Sequence, residues 1–215
     1  MLPPSIKSDR LILFTRYPVP GQVKTRLIPA LGPEGSCNLH RLMTEKTLQQ
    51  LREYSAFLSI SLEVRFDGGD EILMKAWLGP NLNFRDQGPG DLGVRLERAF
   101  KEAFQSGIDR VVIVGSDCPG LTPEILQKAF DGLADQDLVL GPARDGGYYL
   151  IGLSRLLSPL FVDIPWGTEE VFNKTIEISN KFKLKPILLE LLDDIDRPQD
   201  LPLWEKFKLL PWKPV

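Results

Sequence analysis

The residues best suited to chemistry in this 215-residue chain fall in a few polar, glycine-bearing stretches. One is Thr15-Arg16-Tyr17-Pro18-Val19-Pro20-Gly21-Gln22-Val23-Lys24-Thr25-Arg26-Leu27, which sets Arg16, Lys24 and Arg26 within eleven residues. Cations so spaced on one loop can wrap a di- or triphosphate. The stretch is not a P-loop, because Val23 rather than a glycine precedes Lys24. The plain alternative is a solvated basic loop.

A second stretch is Gly115-Ser116-Asp117-Cys118-Pro119-Gly120. One carboxylate together with phosphate oxygens and waters is how proteins commonly hold Mg²⁺, and a metal at Asp117 would neutralise diphosphate charge and assist a leaving group. The alternative is that Asp117 caps the turn or the helix that follows. In Ala143-Arg144-Asp145-Gly146-Gly147-Tyr148-Tyr149, adjacent glycines before a strand imply a close backbone approach. Asp145 there suits a sugar hydroxyl or acid–base work, against a simple hairpin turn. In Gln87-Gly88-Pro89-Gly90-Asp91-Leu92-Gly93-Val94-Arg95, backbone N–H groups and Asp91 at a helix start suit base or ribose recognition, against helix capping by Asp91.

Asp193-Asp194-Ile195-Asp196-Arg197-Pro198 gathers three carboxylates whose mutual repulsion favours a bound cation; Asp196 would also serve as an N-cap before Pro198. Pro165-Trp166-Gly167-Thr168 offers an aromatic platform for a sugar or base, against a core tryptophan. His40, the one histidine, sits in a helical stretch away from the Gly-rich motifs and reads as a helix-surface residue.

These stretches need elements to position them. Leu11–Thr15, Ala56–Phe66, Leu82–Arg85, Arg110–Val114, Asp137–Leu140, Tyr148–Leu153 and Lys185–Leu192 read as strands, with Arg110–Val114 central and buried. Helices are predicted over Glu34–Tyr54, Glu71–Leu78, Gly90–Ser106 (Leu92 on its inner face), Glu124–Leu133 behind a Thr122 cap, Thr168–Phe182 and Pro198–Lys208, with a loop over Arg16–Pro33. This alternation predicts an α/β fold of three layers, α/β/α, with a mostly parallel central sheet, and one domain over residues 1–215. Ligands in such sheets sit beyond the carboxyl ends of the strands, which is where the polar stretches fall.

Composition narrows the classes. Residues are 43% hydrophobic and 26% charged, with a net charge of -3, which does not favour a nucleic-acid partner. Two cysteines, Cys37 and Cys118, outside any CxxC or Cys/His cluster argue against structural zinc and a disulfide scaffold. Met1–Arg10 has no apolar core of signal-peptide length and no apolar run approaches a membrane span, so a cytoplasmic address is expected. No extended apolar stripe is left over for an interface, and the chain is compatible with a homodimer.

Taken together, FTRYPVPGQVKTRL, QGPGDLG, GSDCPGLTPEIL, GPARDGGYYLIGL, IPWGTEEV and DDIDRPQDL resemble a bacterial glycosyltransferase-like family, formerly a domain of unknown function, within the nucleotide-diphospho-sugar transferases of GT-A fold. The resemblance runs from about Leu11 to Leu201. The wider superfamily includes molybdenum-cofactor and phospholactate guanylyltransferases, similar here in the Lys-Thr-Arg-Leu loop, the strand-end aspartate and the closing Asp-x-Asp-x-Pro-x-Asp-Leu.

The resemblance implies a Rossmann-like GT-A fold, with Asp117 as metal aspartate, Lys24 and Arg26 among phosphate ligands, and Asp194 or Asp196 near a second acidic position. Two departures stand out. Ser116-Asp117-Cys118 offers one carboxylate where many GT-A enzymes have Asp-x-Asp, and Phe14-Thr15-Arg16-Tyr17 replaces the nucleotidyltransferases' Leu-Ala-Gly-Gly loop.

The expectation is a metal-dependent (Mg²⁺ or Mn²⁺) transferase on a nucleotide-activated substrate, foremost a glycosyltransferase using a nucleotide-diphospho-sugar donor and a small-molecule acceptor. Asp117, Lys24 and Asp145 are the catalytic candidates. Arg16, Lys24, Arg26, Gln87, Gly88 and Asp91 are the nucleotide and phosphate candidates. Trp166 and Tyr148 are placed on the acceptor side, and Asp117, Asp194 and Asp196 at the metal. The alternatives are a nucleotidyltransferase releasing pyrophosphate and a non-catalytic nucleotide-binding module.

Overall fold

The computed structural model describes residues 8–58 and 60–208. Most of the N-terminal stretch Met1–Arg10, and Ser59 within the second predicted strand, lie outside the described residues. Seven strands form one sheet: β1 (Asp9–Arg16), β2 (Ser61–Asp67), β3 (Asn83–Asp86), β4 (Arg110–Val114), β5 (Leu138–Pro142), β6 (Tyr148–Leu153) and β7 (Ile187–Leu188). Their spatial order is β3-β2-β1-β4-β6-β5-β7, so β4 is the middle strand. β1 to β4 pair in parallel, β7 is parallel to β5, and β6 runs antiparallel between β4 and β5.

Alternate residues of the strands face two apolar layers, as the two-residue period of a strand requires. Leu11, Leu13, Val64, Val112 and Val114 pack with α1 (Ile28–Leu58), α2 (Glu71–Leu78) and α4 (Pro123–Asp135). Ile12, Val111, Ile113, Leu140 and Ile151 pack with α3 (Leu92–Gln105) and α5 (Val171–Lys181). A third cluster joins Leu27, Leu39 and Met43 to Ile195 and to Trp204 of α6 (Leu201–Lys208). The sheet is thus covered on both faces in an α/β Rossmann-like arrangement. No helix of the described residues is long and apolar enough to cross a membrane.

Several predicted boundaries move. The Arg16–Pro33 loop already turns into a 3-10 segment at Thr25–Leu27, and α1 begins at Ile28 and kinks at Gly32, where φ is 70°. Gly32 permits that angle and Pro33 restarts the helix as a first-turn proline. Ala56–Leu58 continue α1 rather than joining the second strand, since a short apolar run does not itself distinguish helix from strand. The final strand contracts to Ile187–Leu188 plus a bridge between Ala143 and Leu192, at a sheet edge entered through Pro186. The Thr168–Phe182 helix begins only at Val171, because Thr168 closes a turn onto the Pro165 carbonyl. Leu92, expected inside, is 43% exposed in the cleft, since the first turn of α3 projects past the sheet.

The parallel register puts the ends of β1, β2, β3 and β4 at one edge. The β5–β6 hairpin turn and the segment after β7 reach the same edge. Between β1 and β4 the chain order reverses direction across the sheet, and a crevice opens there.

Candidate active site

The crevice has two connected lobes, of about 650 Å³ and about 840 Å³, which share Asp117, Asp196, Arg26 and Leu92. The first lobe is walled by the loop after β1. Pro20 and Gly21 form its tight turn: the Gln22 N–H donates to the Val19 carbonyl at 3.0 Å and Gly21 has φ 80°. Lys24 follows in the left-handed region, φ 47° and ψ 43°, uncommon for a residue with a side chain. Its ammonium donates to the Ile195 carbonyl at 2.5 Å and lies 2.9 Å from Asp117 Oδ1. Arg26 pairs with Asp196 at 2.6 Å, and Arg16 lies 3.5 Å from Asp67 with most of its side chain in solvent. The three cations of the basic loop therefore line one lobe, each beside a carboxylate.

Asp117 stands at the ridge between the lobes, just past the end of β4. Its carbonyl accepts from the Ile195 N–H at 3.0 Å, which ties the central loop to the C-terminal acidic segment. Desolvation in the cleft pushes the Asp117 carboxyl up. The Lys24 ammonium, with His40 and Arg16 beyond it, outweighs that and holds the carboxyl below its ordinary value. Asp117 is therefore ionised at neutral pH. Beside it Cys118 is buried, and burial together with the Asp117 carboxylate pushes its thiol well up, so it is no thiolate nucleophile.

His40 is not on a helix surface. It is 5% exposed, lines the first lobe, and has Nε2 2.9 Å from the Arg16 carbonyl, with its ring against Trp77. The face of α1 that carries it turns onto the basic loop. Burial lowers its pKa, so the ring is neutral at pH 7 and Nε2 donates to that carbonyl. Met43, Thr44 and Thr47, near His40 at helical spacing, are buried with it.

The Gln87–Arg95 stretch divides in its roles. Gln87 is buried, and its amide donates to the Thr15 and Arg65 carbonyls at 3.0 Å each, stitching β1 to β2 beneath the lobe. Gly88 does not line either lobe. It turns at φ 76° with its N–H on Asp86, and the Arg98 guanidinium fills the space a side chain would need. Asp91 caps α3, accepting from the Val94 N–H at 2.9 Å, and also lines the lobe. Arg95, which sequence reasoning did not single out, lines it as well and pairs with Asp67 at 2.8 Å.

The second lobe is acidic. Asp145 closes the β5–β6 turn, accepting from the Gly147 N–H at 2.9 Å. Gly146, φ 88°, is required because a Cβ there would lie 2.1 Å from the Glu169 carbonyl oxygen; the close approach is internal. Asp194 faces this lobe, and burial plus the nearby Asp145 carboxylate push its carboxyl up to about 6. Asp200, not Asp196, takes the capping role near Pro198, accepting from the Asp196 and Arg197 N–H groups at 3.1 Å and 2.7 Å. That leaves Asp196 facing both lobes. Trp166 and Tyr148 meet edge to face, centroids 6.2 Å apart, and line the lobe together. Trp166 is half-buried on Gly93 of α3, where any side chain would collide with the indole. The Tyr148 hydroxyl is buried without a hydrogen-bond partner.

Among the described residues no three His, Cys, Asp or Glu side chains converge into an all-protein metal cage. The donor chemistry instead fits a hard cation of Mg²⁺ or Mn²⁺ type, which takes one or two carboxylates plus substrate oxygens and waters. Asp117 is ionised and half open to the cleft, and Asp194 and Asp196 flank it from the C-terminal segment.

Comparison with known proteins agrees with this architecture. The sequence pattern described as "Uncharacterized protein conserved in bacteria (DUF2064)" matches residues 50–168. The chain belongs to this family. The matched span holds Asp117, Asp145 and Trp166; the basic loop and the last acidic segment lie outside it. A crystal structure from Desulfovibrio desulfuricans G20, whose proposed activity is that of a nucleotide-diphospho-sugar transferase, is 36% identical. It superposes with a TM-score of 0.87 over 95% of this chain and 89% of that one. A 4-diphosphocytidyl-2C-methyl-D-erythritol synthase from Anaerococcus prevotii DSM 20548 shares the fold at 13% identity and TM-score 0.63, over 95% of this chain and 97% of that one. So does glucosyl-3-phosphoglycerate synthase of Mycobacterium tuberculosis, solved with Mn²⁺, UDP and phosphoglyceric acid, at 13% identity and TM-score 0.54, over 94% and 75%. No curated protein matches the chain.

Proposed function

We propose that this protein is a metal-dependent glycosyltransferase that takes a nucleotide-diphospho-sugar in the basic lobe and a neutral or cationic acceptor in the acidic lobe. The observation that carries this is the opposite charge of two lobes that meet at Asp117 and Asp196. A diphosphate seeks Arg16, Lys24 and Arg26, with Arg95 behind them. In the other lobe Asp145, Glu169, Asp193, Asp194 and Asp200 outnumber Arg144 and Arg197, so the net like charge disfavours a phosphorylated acceptor.

In this reading Arg16 and Arg26 exchange their carboxylate partners for phosphate oxygens, which both guanidinium groups can bind bidentately. Lys24 lies next to the leaving diphosphate, where its ammonium, once it takes phosphate oxygens as partners, stabilises developing negative charge. Asp91 is placed for a ribose hydroxyl. Asp145 orients or deprotonates the acceptor hydroxyl, and the Trp166–Tyr148 wall takes an apolar sugar face. A bound Mg²⁺ or Mn²⁺, held by Asp117 with Asp194 or Asp196, would neutralise the diphosphate. Gln87 lines the basic lobe and also holds its floor, so it stays a nucleotide candidate, whereas Gly88 lines neither lobe. The whole chain works as one such domain, in the cytoplasm.

The cytidylyltransferase likeness, which runs over nearly all of that enzyme, supports a second reading, transfer of a nucleotidyl group with release of pyrophosphate. A non-catalytic nucleotide-binding module would keep the basic lobe without needing the acidic one. A thermal-shift screen tests all three readings: nucleoside triphosphates, diphosphates and nucleotide sugars, each with and without Mg²⁺ or Mn²⁺. A ligand at about 100 times its dissociation constant adds roughly 2.7 kcal/mol, which a melting curve resolves. Nucleotide-sugar stabilisation that requires metal and is lost in Asp117→Ala supports the proposal. Pyrophosphate release from a triphosphate would overturn it in favour of nucleotidyl transfer, and no stabilisation by any nucleotide would overturn both.

A further inference from the structure

Lys24 differs from the other cations of the basic lobe. Arg16, Arg26 and Arg95 expose 63%, 57% and 22% of their side chains, and Lys24 exposes 4%. Its ammonium is surrounded by three oxygens: Ile195 O at 2.5 Å, Asp117 Oδ1 at 2.9 Å and Asp196 Oδ1 at 3.9 Å. Two carboxylates and a backbone carbonyl are the donors a hard divalent cation takes. The position is enforced from both sides. Lys24 is held in the left-handed region, and the 3-10 turn after it begins with the Leu27 N–H on its carbonyl at 2.9 Å. Ile195, which supplies the carbonyl, is fully buried and bonded to the Asp117 backbone.

We infer that the Lys24 ammonium is a resident counter-ion that guards the divalent-cation position at Asp117, so that metal binds tightly only when nucleotide phosphates draw Lys24 away. The inference rests on the metal–nucleotide reading above. A monovalent ammonium and a divalent cation cannot both sit against one carboxylate oxygen without strong repulsion. Phosphate oxygens offer the ammonium equivalent partners, and releasing Asp117 to the metal then involves no bare buried charge. Donor and metal thus load as one unit, and the protein does not hold free metal beside an unfilled basic lobe.

The test is Mn²⁺ titration of the full chain, followed by the EPR signal of free Mn²⁺, with no nucleotide present. Wild type is expected to bind weakly. Lys24→Met is expected to bind at least tenfold more tightly, and adding Asp117→Asn to it should abolish the gain. Circular dichroism and the melting curve verify folding. If Lys24→Met fails to fold, Lys24→Gln, which keeps a donor for the Ile195 carbonyl, carries the same expectation. A folded neutral variant that binds Mn²⁺ no better than wild type overturns the inference. Because no nucleotide is used, this failure is separate from failure of the nucleotide screen.

Discussion

The two lobes of the cleft are built by opposite means. The basic lobe is made of long cationic side chains, each matched to a carboxylate: Lys24 with Asp117, Arg26 with Asp196, Arg16 and Arg95 with Asp67. The acidic lobe is made mostly of short carboxylates; one, Asp193, pairs with Arg144, and others are fixed by backbone N–H groups, as Asp145 is by Gly147 and Asp200 by Asp196 and Arg197. Long paired cations can trade one anion for another with little loss, which suits a phosphate that must arrive and leave. Short carboxylates held by backbone cannot swing away, which suits orientation of an uncharged group. On the proposed reading, the difference matches an exchangeable anion on one side and a positioned acceptor on the other.

The largest effect is expected where the lobes meet. Asp117→Asn should lower kcat by about 10²–10³-fold, the scale of losing one preorganised electrostatic group, and should remove the metal dependence of nucleotide stabilisation. Steady-state kinetics with both substrates varied will check it, and retention of full kcat would break the claim that the lobes share a working carboxylate. Next comes the basic lobe alone. A charge-assisted hydrogen bond contributes about 1.5–3 kcal/mol, so Arg16→Ala and Arg26→Ala should each raise the donor dissociation constant roughly tenfold or more. Acceptor KM should stay where it was. Equal damage to both substrates would erase the distinction between the lobes.

How far this comparison was legible in the sequence depends on the kind of residue. The alternation of apolar runs and amphipathic stretches carries the layered α/β architecture and the mostly parallel sheet, though not its strand order, because buried parallel strands and their helices leave strong local patterns. The motifs at strand ends converge because topology forces them to one edge, and so Lys24, Arg26, Asp117 and Asp196 meet. Contacts made by backbone were not legible. Nothing local marks Ile195 as the residue that joins Lys24 to Asp117, or Gly88 as a turn over Arg98 rather than a ligand site. His40 was missed because the burial of a helix face depends on what packs over it, here a loop rather than a helix. The second role of Gln87, its amide on two main-chain carbonyls while it lines the lobe, shows only in the fold.

A smaller effect is expected from the aromatic wall. An aromatic platform contributes about 0.5–1.5 kcal/mol beyond its buried area, so Trp166→Ala should raise acceptor KM about threefold to tenfold with donor binding unchanged. Trp166→Phe should recover most of it. An increase in donor KM instead would move Trp166 to the nucleotide and require redrawing the boundary between lobes.

The finest distinction is in titration, because the two lobes shift their carboxyls in opposite directions. Asp117 is held low by Lys24, while Asp194 is pushed up to about 6 by burial and by Asp145. Asp194 therefore binds its proton more tightly in the folded chain than in the unfolded one. Its contribution to stability is full below the unfolded value near 3.8 and is lost as pH rises through about 6. Because the group is only partly buried, solvent screening leaves an effect on the order of 1 kcal/mol. A divalent cation at the ridge needs the ionised form, so Mn²⁺ affinity in the presence of nucleotide should rise across the same window. Asp145→Asn removes the repelling carboxylate and should shift both the melting-temperature slope and the Mn²⁺ profile toward lower pH, while Arg26→Ala should not. If Asp145→Asn leaves both profiles in place, Asp145 is not electrostatically coupled to Asp194, which would then answer to burial and Asp200.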